Sequence, residues 1–301
     1  SCHTSNHKLC EGTSMIRNLF IASVLSVSAT AAAAELTYGA AFAKLHDFDV
    51  DGAGTIDVKS FGGGIEYRYD NFIFSGELSN ISIEGVDIDL GTVGVEYALA
   101  NGFNIGLDYS RFDIEDFDAD VTSLFGSYQS GAHTFGAAIG DSSDLDDMTF
   151  SIFAAWDVTP TGTVGLDLVH IEDETLYAAY ADYDVAQYNV QADLLKLDDL
   201  SVVAVAGGYE FANGFSAIGS VGFLDLGPED VRSITIGGQY EFTPGANVEL
   251  ALGRLDFDNG ADVDQVTFGV NYELGRRTSK RRSLGNIFSS ATGSFAGLTD
   301  F

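Results

Sequence analysis

The sequence predicts an all-β fold: a transmembrane antiparallel up-and-down β-barrel of about 16 strands, with short turns on both sides. Three observations predict it. The first is a recurring phrase of apolar residue, carboxylate, apolar residue and turn. Its copies are Ile65-Glu66-Tyr67, Val95-Glu96-Tyr97, Trp156-Asp157-Val158, Ala181-Asp182-Tyr183, Tyr209-Glu210-Phe211, Tyr240-Glu241-Phe242 and Tyr272-Glu273-Leu274, with Tyr128-Gln129 filling the gap. Spacings of 25–33 residues suit a repeating hairpin rather than a helical solenoid. The second is strict alternation, as in Phe103, Ile105, Leu107 and Tyr109 against Asn104, Gly106, Asp108 and Ser110. Alternate side chains of a strand face opposite ways, so one face is oily and the other polar, the arrangement of a barrel with lipid outside and water inside. The third is two classes of turn that take turns along the chain.

Followed in order, the first strand starts at Glu35 and ends in an acidic stretch at 47–54. The chain then returns to a tight turn at Asp70-Asn71. Acidic loops at 84–87, 115–120, 141–147, 172–174, 196–199, 225–230 and 256–264 alternate with tight turns at Ala100-Asn101-Gly102, Ser130-Gly131, Thr159-Pro160-Thr161-Gly162, Tyr183-Asp184, Ala212-Asn213-Gly214 and Thr243-Pro244-Gly245. Asn-Gly and Pro-Gly are strong turn signals. The join at 175–195 is read as two strands, Thr175–Asp182 and Val185–Leu195, which keeps the strand number even.

Residues 35–274 form this barrel, and what precedes them reads as processing sequence. Met15 to Ala34 (15–34) has the form of a signal peptide: Arg17 at its start, an apolar stretch from Leu19 to Val27, and Ala32-Ala33-Ala34 as the cleavage site. Residues 1–14 read as an upstream extension outside the mature protein. Cys2 and Cys10 both lie there, which leaves the barrel without a disulfide framework or thiolate metal site. Between residues 35 and 274 stand 43 acidic and seven basic side chains, a charge of −36. Such a field repels nucleic acid and favours cations. No later apolar run reaches the length of a membrane-spanning helix.

A soluble β-sandwich would also alternate, with its oily face inside. The oily face here is rich in Tyr, Phe, Leu and Val and carries Trp156 beside a tight turn, which fits the interfacial aromatic girdle of a lipid-facing barrel.

With the export signal, the strand pattern and a last strand reading Phe268-Gly269-Val270-Asn271-Tyr272-Glu273-Leu274, residues 35–274 resemble Gram-negative outer-membrane porins, especially the alphaproteobacterial, Rhodobacter-like type. The resemblance implies export to the outer membrane, contact with lipid and lipopolysaccharide, and a homotrimer of water-filled pores, each narrowed by a long third loop folded inward. This chain departs from the pattern in two places. Its third acidic loop is short, and Leu274, rather than a closing Phe, is followed by a tail.

Strand parity assigns pore-lining candidates. Toward the tight turns these are Glu66, Arg68, Glu96, Gln129, Asp157, Asp182, Glu210, Glu241 and Glu273; farther along the strands come Glu77, Asp108, Asp167, Gln191, Asp193 and Glu249. Carboxylates at equivalent places in successive hairpins would form a ring, and such rings favour cations. The expected function is a passive, cation-preferring pore for small hydrophilic solutes. The alternative is a structural or surface-interaction barrel without an open pore.

Asp47, Asp49 and Asp51, followed by Gly52, resemble the opening of a calcium loop, and the acidic outer loops are candidates for weak Ca2+ binding. Val58 stands where the closing bidentate Glu would be. Catalysis is not expected: His46, His133 and His170 are scattered, and no Gly-x-Ser-x-Gly element accompanies them. Residues 275–301 carry Arg276, Arg277, Lys280, Arg281 and Arg282 in a Ser-, Gly- and Ala-rich setting, and read as a disordered periplasmic extension.

Overall fold

The computed structural model describes residues 34–50, 54–84, 86–114, 117–142, 148–227, 230–258, 260, 262–283, 285–287 and 290. The upstream extension, the proposed signal peptide up to residue 33, Asp51, most of the 141–147 loop and residues 291–301 of the tail lie outside them.

Sixteen antiparallel strands close into one barrel, each pairing with its sequence neighbours and β1 pairing with β16. They are β1 (Ala34–Val50), β2 (Gly54–Tyr69), β3 (Phe72–Ile83), β4 (Val86–Ala98), β5 (Phe103–Ile114), β6 (Phe117–Ser130), β7 (His133–Ser142) and β8 (Thr149–Thr159). The second half comprises β9 (Gly162–Ile171), β10 (Glu174–Val185), β11 (Tyr188–Leu197), β12 (Leu200–Glu210), β13 (Phe215–Leu226), β14 (Asp230–Thr243), β15 (Ala246–Phe257) and β16 (Asp262–Gly275). Closure satisfies every sheet edge internally, which a β structure in lipid requires.

The sidedness follows the alternation. Leu107, Ile152, Ile236, Leu252 and Val270 lie exposed on the outer face, while Glu66, Asp108, Asp167 and Glu249 are buried on the inner one. Toward the tight turns, outward aromatic residues meet across neighbouring strands: Phe72 with Tyr97, Phe103 with Tyr128, His133 with Trp156, Tyr188 with Tyr209 and Phe215 with Tyr240, at centroid separations of 4.5–5.7 Å. Such pairs form a girdle where one end of a ring is oily and the other wet.

Three expectations are corrected. The turn between β10 and β11 is Ala186-Gln187, not Tyr183-Asp184, which lie within β10. Ala186 takes a φ of 56° there, a conformation that Asn, Asp or Gly usually marks. The described residues of the acidic stretches are mostly strand rather than loop. The third connection is as short as the sequence indicates: Ile114 pairs with Phe117, so two residues join β5 to β6. Finally, the inner face is not polar along its whole length. At the acidic-loop end Val169, Leu176, Leu195, Val202 and Val231 form a buried apolar cluster, flanked by Leu224, Leu255 and Phe257.

Candidate functional site

All the sequence-predicted lining residues sit at inward-facing positions of their strands, but in two groups. Arg68, Gln129, Asp182, Glu210, Glu241 and Glu273 are exposed at the tight-turn rim. There Arg68 Nε donates to the Asp70 carbonyl at 3.4 Å, and Glu241 accepts the Gly245 amide at 2.8 Å, capping its own turn. Deeper lie Glu66, Glu77, Glu96, Asp108, Asp157, Asp167, Gln191, Asp193 and Glu249. Of the deeper group, Glu66 and Glu96 are only 3% and 6% exposed. What covers them is the chain's own tail.

After Gly275 the chain turns into the lumen, where a disordered outward extension was expected. The Arg276 amide donates to the Thr37 carbonyl at 2.9 Å, and the Arg276 guanidinium donates to the Pro160 carbonyl at 2.7 Å. Glu66 then cradles the neck of the tail. One of its oxygens accepts the Thr278 amide at 2.8 Å, the Thr278 hydroxyl at 2.6 Å and the Thr37 hydroxyl at 2.7 Å; the other accepts the Ser279 amide at 3.1 Å. The Ser279 hydroxyl donates to Glu96 at 2.7 Å.

Basic side chains follow, each against a wall carboxylate. Arg277 pairs with Glu77. Lys280 Nζ lies 2.6 Å from Asp157, Arg281 Nε 3.3 Å from Asp108, and Arg282 3.7 Å from both Asp167 and Asp193. Beyond them Ser283 Oγ meets Thr92 Oγ1 at 3.1 Å. Ser283 and Asn286 cap each other reciprocally, with the Ser283 amide donating to Asn286 at 3.0 Å and the Asn286 amide to Ser283 at 3.2 Å. This precedes the helical residues 285–287, in the manner of a capping box. Asn286 also reaches Glu77, Ile287 enters the apolar cluster, and the Ser290 hydroxyl donates to Asp193 at 2.8 Å.

The wall offers these cations flat aromatic faces. Gly106, Gly136 and Gly165 let the Phe125, Phe153 and Tyr180 rings lie against bare backbone; a Cβ at Gly165 would stand 2.1 Å from the Tyr180 ring. On the exposed faces, Arg282 sits 4.4 Å from the Tyr180 centroid, and Arg281 sits 5.8 and 5.6 Å from those of Phe125 and Phe153. Arg277 lies 4.6 Å over Tyr38. Sequence reasoning missed Tyr38, Phe125, Phe153 and Tyr180 as lining residues, although their parity places them there.

A separate polar network lines the β1–β16 closure. Buried Lys44 and Glu249 pair at 3.0 Å, and Asn271 donates to Glu249 at 2.9 Å. His46 shares a hydrogen bond with Thr267 at 2.8 Å. His133 and His170 are on the outer face, where His170 Nδ1 shares a hydrogen bond with the Thr175 hydroxyl at 3.3 Å. Asp47 and Asp49 lie on the outward face of β1, in extended backbone rather than in a loop that wraps an ion. Among the described residues no group of three His, Cys, Asp or Glu side chains converges on a metal-sized site.

Comparison with known proteins agrees with this geometry. The family model described as Gram-negative porin matches residues 161–288, and the match continues past β16 into the tail. No curated protein sequence matches. Among solved structures, Pseudomonas aeruginosa OpdO aligns with 11% identity and a TM-score of 0.52, covering 80% of this chain and 97% of its own. A triple mutant of Rhodopseudomonas blastica porin aligns with 14% identity and a TM-score of 0.50, covering 80% of this chain and 100% of its own. At these identities the likeness is one of fold.

Proposed function

We propose that this chain, which resembles the Gram-negative porins in its closed 16-strand barrel and in the segment 161–288, is an outer-membrane diffusion channel for small hydrophilic solutes. The observation that carries the reading is the split of the wall: Leu107, Ile236 and Val270 turn outward while Glu96, Asp108 and Asp167 turn inward. Solute movement would follow the concentration gradient, with no covalent step.

Cation preference is the finer part of the proposal. Among the described residues named above, twelve inward carboxylates (Glu66, Glu77, Glu96, Asp108, Asp157, Asp167, Asp182, Asp193, Glu210, Glu241, Glu249 and Glu273) outnumber the cations Lys44, Arg68, Arg276, Arg277, Lys280, Arg281 and Arg282, an excess of negative charge even with the tail in place. Acidic rings of this sign enrich cations in a narrow aqueous path. Assembly as a homotrimer belongs to the same proposal.

Planar-bilayer recording tests it. The expected result is stepwise conductance proportional to salt, with a reversal potential on the cation side in a KCl gradient. Insertion of folded barrels with no conductance under any voltage would instead support the closed structural barrel, a reading favoured by the tail in the lumen.

A further inference from the structure

We propose that the places now filled by Arg277, Arg281 and Arg282 are binding seats for solutes bearing guanidinium or primary ammonium groups, and that the tail occupies them as a displaceable internal competitor. This rests on the channel reading and names the solute class the channel would take.

Each seat combines the two elements that recognise a planar cation: a carboxylate and an aromatic face. Glu77 with Tyr38, Asp108 with Phe125 and Phe153, and Asp167 and Asp193 with Tyr180 make three seats in succession. The wall is built for them. Gly106, Gly136 and Gly165 each leave room for a ring that any side chain would displace, so the rings lie flat with one face toward the lumen. Asp157, with Thr163 beside it, adds a seat for an ammonium group, filled by Lys280.

The tail grips the Tyr180 seat less firmly than it grips its neck. Glu66 accepts three short hydrogen bonds from Thr278 and Ser279. Arg282, by contrast, approaches two carboxylates only at 3.7 Å; its Nη1 and the Asp167 Oδ2 are buried without a hydrogen bond. A free guanidinium could adopt the closer bidentate geometry that the tethered one forgoes. The neck would hold the tail in the barrel while its cations exchange. A tethered competitor acts at an effective concentration in the ~mM range, so competing solutes need comparable levels.

The test uses the full chain with Ser283→Cys, a position 2% exposed beside Thr92. Its labelling by a membrane-impermeant maleimide is followed in vesicles, with agmatine as the dicationic probe. Agmatine should speed labelling several-fold, and KCl or sodium glutamate at matched ionic strength should not. In bilayers, the full-length triple variant Lys280→Gln, Arg281→Gln, Arg282→Gln should conduct K+ several-fold better than the parent. Thr92→Cys with Ser283→Cys is the second variant. Its oxidised cross-link should form readily and hold conductance at the parent level even in agmatine.

Equal acceleration by KCl would reduce the seats to general charge screening and overturn the proposal. So would labelling that ignores agmatine while the parent and triple variant conduct alike; that outcome leaves the channel reading standing. Silence of all variants in the bilayer would sink the channel reading itself, while labelling would still report whether the seats bind the probe.

Discussion

Gly165 lies directly beneath the Tyr180 ring, so close that a single methyl group there would stand 2.1 Å from it. The ring owes its flat pose to that missing side chain, and Arg282 owes its stacking surface to the ring. Gly165→Ala should therefore cost ~1–3 kcal/mol through overpacking. The same change should loosen the tail. Urea refolding midpoints in lipid vesicles give the first effect, and maleimide access at a Ser283→Cys reporter gives the second. A variant unchanged in both would mean that the ring reseats freely.

The Lys44–Glu249 pair is sealed inside the closure between β1 and its neighbours on the β16 side. Removing one member strands the other. Lys44→Met should destabilise the barrel by ~3–5 kcal/mol, and adding Glu249→Gln should recover most of that loss. The check is a double-mutant cycle from equilibrium refolding. Additive costs would show that the two groups act independently.

Glu66 holds the neck of the tail, so Glu66→Ala should free the segment from Arg276 to Arg282 while leaving the strands paired. Each hydrogen bond to a charged group contributes ~1.5–3 kcal/mol, which makes trypsin cleavage in that basic run at least about tenfold faster. Mass spectrometry locates the cuts, and circular dichroism confirms the barrel. Cleavage at the parental rate would place the anchor elsewhere.

Trp156 is the only tryptophan, outward and about half exposed, stacked on His133 at 5.7 Å. On insertion its emission should shift to the blue. Lipids brominated near the glycerol should quench it more strongly than those brominated at the chain ends, because girdle rings sit at the interface. Quenching by aqueous iodide with no effect of either brominated lipid would place Trp156 in water and undo the sidedness.

The strand plan was legible because alternation and turn chemistry act locally. Leu107 against Asp108 declares a lipid face and a lumen face within two residues. Ala186-Gln187 lacks the usual turn residues, and several strands run on through acidic sequence, so neither feature is marked by local composition. The apolar cluster around Leu176 and Leu195 was hidden because both strand faces are oily there, so alternation lost its contrast. The tail was misread for a different reason. Its composition looks like that of an unfolded segment, and two of its partners, Pro160 and Glu66, lie 116 and 213 residues away in sequence. Two signals could have located it: a basic run in a chain whose barrel is strongly acidic, and the Ser283-to-Asn286 capping pattern.

The route by which the tail enters bears on how the molecule assembles. Gly275 pairs with Tyr38, and the next amide bonds to Thr37, so the segment departs from the junction of the first and last strands. Its landing places on β3, β5, β9 and β11 face the lumen that this junction closes. A register slip of two residues would move the departure point by about 7 Å, out of reach of Glu66. Seating of the final segment would thus depend on the register of closure: a mis-threaded cylinder would leave its basic end dangling and open to proteases.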